Sequence, residues 1–309
     1  MAAQLHHYVP QFHVRQWSGS DRDSIGVLAK NDRRIFQANP RDVGGEKSFH
    51  SKLPEAQVVE TWFSQLEAGT SAIYKKIHET LDLKALSDHE RFGLCRFVAS
   101  ALVRTREARE EVIQISEALL NEIASRIGVT DWVARLTEDG ALGYHLNTFK
   151  DIPQHTLHLL RLRMVLEVNR TDLPLTTSDH PVVRHNDFPL RPQGGGRLGL
   201  LSPGIQLHMP ISPKLCLRFL DPDVYGSVPL KMNLVDAQKI VFERRLQLDQ
   251  SYRHVFSVLT DRFERELSIL KENPDIADLK RKRIELDSER RASDDRGAVR
   301  LHGYRKERR

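Results

Sequence analysis

Short apolar runs at Ile25 to Ala29 and Arg34 to Ala38 flank Lys30-Asn31-Asp32-Arg33. This pattern predicts a β-hairpin, because Asn and Asp tolerate the backbone of a tight turn. Gly44-Gly45 marks a loop after it. From Pro54 the period changes. Val58, Val59, Trp62, Phe63, Leu66, Ile73, Tyr74 and Ile77 recur at helical spacing and predict a helix from about Pro54 to Leu81. Ser87 with Glu90 three residues on reads as a capping box. It opens a second long helix whose stripe runs through Leu94, Phe97, Val98, Ala101 and Leu102, then Val112, Ile115, Leu119 and Ile123, to a stop at Gly128. A shorter helix is expected over Asp131 to Leu136.

After Pro153 the pattern mixes. Thr156 to Arg163 reads as helix, and Met164 to Asn169 and Leu173 to Thr177 as strands, with Val182-Val183 extending the run. His185 to Pro203 is a Gly- and Pro-rich loop. Leu207 to Ile211 and Leu215 to Leu220 form a strand pair around Ser212-Pro213. Asn233 to Leu246 and Val255 to Leu270 are read as helices. There is no internal repeat. The predicted fold is α+β: long antiparallel helices packed with a small mixed or antiparallel β-sheet, in a single large domain over 1–274. A basic tail over 275–309 is expected as exposed helix or disordered chain.

Composition changes the picture in one place. The 309 residues carry a net charge of +5. Residues 279–309 hold 12 Lys+Arg against 6 Asp+Glu, a net of +6, so the body is close to neutral at −1. Charge-driven contact with nucleic acid is therefore expected of the tail alone. The two cysteines, Cys95 and Cys216, sit in apolar runs. Two cysteines exclude a zinc ribbon or a disulfide framework within this chain. No stretch approaches the ~20 apolar residues of a membrane span. The expected location is the cytoplasm, with no membrane contact.

Four constellations are candidates for chemistry. His6-His7-Tyr8-Val9-Pro10-Gln11-Phe12-His13 is dense in histidine; on an extended strand His6 and His7 point to opposite faces, so one of them can face a pocket. Glu60 and Glu67 lie two helical turns apart, bordering an apolar stripe. They are candidates for a metal site or acid/base work, against a bland reading as solvated or paired boundary residues. Arg104-Thr105-Arg106 continues the face of a very apolar run. A buried Arg there needs a carboxylate or phosphate partner, and Glu60 or Glu67 could supply a structural ion pair. Thr176-Thr177-Ser178-Asp179-His180-Pro181 ends a strand in a turn, where Asp179 could bind a metal, orient a histidine, or simply stabilise the reversal. Gly194-Gly195-Gly196-Arg197 lacks the Gly-Lys-Ser/Thr of a phosphate loop. His155 and His158 have metal-pair spacing but no His-Glu-x-x-His pattern.

The run His7 through Trp17, Lys30, Glu46-Lys47-Ser48-Phe49, Glu60 with Glu67, Arg104-Thr105, and Ser178-Asp179-His180-Pro181 resembles the domain-of-unknown-function 4238 family. Met209 to Pro213 and Asn233 with Gln238 also fit, and the likeness spans roughly Leu5 to Leu259. His13, His50 and His180 depart from its usual residues. The resemblance implies that polar residues from distant segments belong to one pocket. A set of His, Lys, Glu, Arg and Asp suits phosphoryl chemistry. The expectation is a nuclease- or phosphoesterase-like hydrolase, extending to a bacterial defence or toxin effector, acting on nucleic acid or a nucleotide. His7, Lys30, Glu60 and Arg104 are its expected catalytic residues, and Lys47 and His180 contact substrate. Glu67 and Asp179 hold Mg²⁺ or Mn²⁺. The competing expectation is a non-catalytic nucleic-acid or protein-binding module that uses the basic tail.

Overall fold

In chain order the elements are β1 (Leu5–His7), α1 (Gln11–Val14), β2 (Ile25–Ala29), β3 (Arg34–Ala38), β4 (Gly45–Lys47), α2 (Glu55–Thr80), α3 (Asp88–Val103), α4 (Arg106–Arg126), α5 (Glu138–Asn147), α6 (Ile152–Arg161), β5 (Arg163–Asn169), β6 (Thr177–Ser178), β7 (Val183–His185), β8 (Gln206–Ser212), β9 (Leu215–Leu220), α7 (Pro222–Tyr225), β10 (Lys231–Leu234), α8 (Ala237–Gln250), β11 (His254–Ser257), α9 (Glu264–Glu272), β12 (Ile284–Leu286) and β13 (Val299–Leu301). The computed structural model describes residues 5–19, 23–47, 49, 55–129, 138–188, 198–259, 261–286 and 299–301. The expected helix at 131–136, the glycine run 194–196 and His50 lie outside them.

The hairpin β2–β3 forms as expected, and the Ser87–Glu90 capping box opens α3 with both of its reciprocal bonds. The long helix expected from 87 to 128 is instead two helices, broken at Arg104-Thr105. The break is paid for in hydrogen bonds. Thr105 caps α4 by accepting from the Ala108 N–H, and His145 Nε2 donates to the Val103 carbonyl that the end of α3 leaves orphaned, at 2.8 Å. Gly128 then closes α4 with φ +81°, as the glycine predicted.

Two further expectations are corrected. Residues 231–234 are strand β10, and α8 begins only at Ala237, where Asp236 caps it by accepting from Gln238 N–H. His254–Ser257 is strand β11 rather than helix, and α9 begins at Glu264. In both cases a strand run of four residues is too short to show a period against the helix that follows it. Of the stretch 173–177 only Thr177 is strand, in the two-residue β6 that it forms with Ser178.

A five-stranded sheet has the order β10-β5-β9-β8-β7, parallel only between β5 and β10. One face carries Leu166, Val168, Leu207, Met209, Leu217 and Phe219, which form the main core with α2, α3 and α6. Alternation sends Glu167, Cys216, Arg218, His208, Gln206 and His185 to the other face, together with Glu243 of α8. A four-stranded sheet, β3-β2-β11-β6, packs Ile25, Val27 and Phe256 against Tyr8, Val9, Val14, Trp17 and Phe49. Leu28 and Val255 pack on its other side with Leu248, Phe263 and Leu270. Antiparallel pairing of β1 with β4 holds the N-terminal histidines against Gly45–Lys47. Thus the fold is α+β, and no described helix is long and apolar enough to cross a membrane.

Candidate functional site

The break between α3 and α4 is where the polar residues gather. Arg104 and Thr105 are consecutive and both buried, and they serve two adjoining groups. Arg104 is 1% exposed. Its Nη2 donates to Glu67 Oε1 at 2.8 Å and to the His7 carbonyl at 2.7 Å, and its guanidinium lies 4.3 Å from the Phe63 ring centroid. Arg104 Nε and Nη1 are buried without a hydrogen-bond partner. One turn before Phe63 on α2, Glu60 Oε1 stands 3.8 Å from His6 Nδ1. Residue spacing on the strand thus selects His6 for the inner face. The His7 ring, expected as acid or base, instead donates from Nε2 to the Arg41 carbonyl at 2.9 Å. Lys47 is exposed on β4.

On the other side of the break, Thr105 Oγ1 meets His180 Nδ1 at 2.6 Å. Burial pushes the His180 pKa down to about 4, so its ring is neutral at pH 7. Asp179 is fully buried. Its carboxylate accepts three backbone N–H bonds, from Tyr252, Arg253 and His254, each at 2.8 Å. Ser178 Oγ accepts from the His180 N–H and joins the Gln247 amide. The Ser178–Pro181 turn is therefore a clasp between β6, α8 and the 252–254 turn. Lys30 Nζ is buried and donates to the Leu248 and Ser251 carbonyls at the C-terminal end of α8, a favourable place for a cation. Its burial lowers the Lys30 pKa to about 7.

The expected residues therefore divide. His6, Glu60, Glu67 and Arg104 form one group. Lys30, Asp179 and His180 form another, in which the Lys30 ammonium, the Asp179 carboxylate and His180 Nδ1 are engaged by the fold. The Lys30 ammonium is spent on helix-end carbonyls, and Asp179 is a poor metal ligand because backbone amides occupy both its oxygens. Glu67 and Asp179 thus do not work as a ligand pair, and among the described residues no three His, Cys, Asp or Glu side chains are gathered as a metal would need. Two surface clefts lie away from these residues, one lined by Asp23, Ser24, Gln37, Ala38, Asn39 and Arg41 and one by Thr80, Leu81, Asp82, Lys84 and Pro229–Lys231.

Several charged residues missed in the sequence complete the second group. Glu111 takes both bonds of Arg184 Nη2, at 2.7 and 2.9 Å, and Glu107 receives Arg281 and Arg283. Residues 281 and 283 are thus not free tail charges; they turn inward while Lys280 and Lys282 face solvent. Glu107 and Glu111 follow the Thr105 cap within two turns, a signal visible only once the break is known. A third polar group lies between the second sheet face and α8. His208 Nδ1 bonds Glu243 at 2.8 Å, and Arg218 Nη1 bonds Glu167 at 3.0 Å. Burial pushes the Glu243 carboxyl up to about 7 and the His208 pKa well down.

A family model described as a protein of unknown function (DUF4238) matches residues 5–258. The chain belongs to the DUF4238 family. No curated protein matches it, and no solved structure does. The DUF4238 match takes in both groups at the α3–α4 break and stops before α9, so Arg281 and Arg283 come from outside it.

Proposed function

We propose that this DUF4238 protein is a hydrolase of phosphoester bonds in a nucleic acid or nucleotide, with its site at Arg104, Glu67, His6 and Glu60. One observation carries the reading: a fully buried guanidinium has two nitrogens without a hydrogen-bond partner, and the carboxylate it bonds, Glu67, lies two helical turns from a histidine–carboxylate pair. Such a guanidinium is a preorganised receptor for a phosphate oxygen, since desolvation is already complete before substrate binds. Arg104 Nε and Nη1 would take the charge that grows on the non-bridging oxygens. His6, held by Glu60, would accept the proton of the attacking water and return one to the leaving alkoxide. Glu67 offers Arg104 Oε1, and its Oε2 would hold a Mg²⁺ or Mn²⁺ ion, which would supply neutralising charge for the phosphate. Lys280 and Lys282, which face solvent, would add salt-sensitive contacts to a polyanion.

The test is turnover of RNA, DNA and nucleotides with Mg²⁺, with Mn²⁺ and with EDTA, comparing His6→Asn, Glu60→Gln and Arg104→Lys with the natural chain. His6→Asn is expected to lose about 100-fold or more in kcat/KM, the usual size of an acid–base contribution, with its melting temperature kept. Full turnover in a folded His6→Asn, Arg104→Lys double variant overturns the site, and no turnover of any of these substrates overturns the reaction.

A further inference from the structure

Past the end of the family match, the chain turns back onto the second polar group. Arg283 Nε and Nη2 reach the two oxygens of Glu107 at 3.0 Å each. Arg281 Nη2 reaches Glu107 Oε1 at 2.6 Å and the Ser251 carbonyl at 2.9 Å. Gln114 brackets the backbone between them. Its Oε1 accepts from the Arg283 N–H at 2.8 Å, and its Nε2 donates to the Arg281 carbonyl at 3.0 Å. The Arg283 guanidinium also lies 5.8 Å from the Tyr252 ring centroid.

These contacts read as a receptor and its ligand. Two parallel bonds to one carboxylate select a planar guanidinium over an ammonium. The Gln114 side chain satisfies an extended backbone as a neighbouring strand would. Leu279 and Lys280 form a turn in which the Arg281 N–H donates to the Asp278 carbonyl at 3.2 Å, and beyond it Arg281 and Arg283 point inward and Lys282 outward. None of residues 279–283 belongs to an apolar core cluster. The segment is thus held by polar bonds to a few groups rather than by core burial, the kind of element that opens locally at low cost.

We propose that Glu107, Gln114 and the Ser251 carbonyl form an arginine-binding seat for an extended Arg-x-Arg segment, and that Leu279–Arg283 is its removable occupant in the resting chain. The strap covers family residues. Ser251 O accepts from both Arg281 and the buried Lys30. Lifting the strap opens that carbonyl, and through it the Lys30 ammonium, to solvent, and leaves the seat free for the basic segment of a partner. Glu107 without its arginines would be a buried, unpaired carboxylate. Burial pushes its pKa up against the pull of Arg281 and Arg283, and an incoming guanidinium would replace that pull and keep the carboxylate ionised.

The test uses the full chain carrying Arg281→Ala and Arg283→Ala, and the labelled peptide acetyl-Lys-Arg-Lys-Arg-Ile-Glu-amide, which copies residues 280–285. The double variant is expected to bind the peptide at least ten-fold tighter than the natural chain does, and Glu107→Gln added to it is expected to remove that gain. Equal binding by the natural chain and the folded double variant, or none by the variant, overturns the proposal. A second readout needs no substitution. In native-state hydrogen exchange of the natural chain, the Arg281 and Arg283 amides are expected to exchange at least 100-fold faster than those of β8. Exchange at the β8 rate overturns removability even where the double variant fails to fold. Neither readout depends on turnover, so the hydrolase reading stands or falls separately.

Discussion

Replacing Asp179 by alanine is expected to unfasten the fold rather than remove a metal ligand. The carboxylate is fully buried and accepts from the Tyr252, Arg253 and His254 amides at 2.8 Å each. A hydrogen bond to a charged group contributes about 1.5–3 kcal/mol, and a buried N–H left unsatisfied costs about 1–3 kcal/mol. Three independent bonds would total roughly 4.5–9 kcal/mol. They share one carboxylate, however, and the half-buried Tyr252 lies on a bend that can relax toward water, so the sum is not additive. The expected loss is about 4 kcal/mol, or a melting temperature lower by about 8 °C at ~2 °C per kcal/mol for a chain of this size. Asp179→Asn retains one carbonyl oxygen in the clasp and should lose about half as much. Urea titrations followed by far- and near-ultraviolet circular dichroism measure both. A loss under about 1 kcal/mol for Asp179→Ala, or identical losses for Ala and Asn, would refute the clasp. A consequence for enzymology is that Asp179→Ala cannot serve as an inactive control: loss of turnover in it would report unfolding of the 252–254 turn.

Arg104→Met removes the bonds to Glu67 and to the His7 carbonyl. Glu67 is a quarter exposed and water can take its charge, so the expected stability loss by urea titration is only about 1–2 kcal/mol. Gly204 has φ +76°, and an added Cβ would fall 2.2 Å from Phe188 Cβ and 2.8 Å from Asn186 Oδ1. Gly204→Ala should therefore cost about 2 kcal/mol or more in the same titration, and a loss within about 0.5 kcal/mol would show that the loop yields. Burial raises the Glu243 pKa from 4.5 to about 7, so between those values the folded chain holds a proton that the unfolded chain has lost. Its contribution to stability is complete below pH 4.5 and is lost as the pH rises through about 7. The stability of the natural chain minus that of Glu243→Gln should accordingly fall by about 2–3 kcal/mol from pH 5 to pH 8, and parallel pH profiles would refute it.

Much of the fold was legible along the chain where a period had room to show. The 26 residues of α2 carry seven turns of stripe, and the β2–β3 and β8–β9 pairs are bounded by turn residues on both sides. The four-residue strands β10 and β11 were not legible, because each runs into a helix whose pattern absorbs it. The α3–α4 break was hidden for another reason. Its apolar stripe continues across residues 104 and 105, and what ends α3 is a distant histidine that takes the Val103 carbonyl. The candidate site shows the same division. The sequence placed Glu60, Glu67 and Arg104 together from helical spacing and the solvation cost of a buried arginine. Choosing between His6 and His7 needed the register of β1 against β4.

By itself, the sequence determined the α+β class, the family and the neutral body, since each follows from composition, short-range periodicity or motif order. Only the tertiary structure decided which of the polar groups are spent. Asp179, Lys30 and Arg283 carry the same formal charges free or bound. Their roles depend on the backbone amides, helix-end carbonyls and the single carboxylate that the fold brings to them from 73, 218 and 176 residues away. A side chain's chemistry is written in the chain, whereas its remaining capacity for a hydrogen bond or an ion is a property of its neighbours in space.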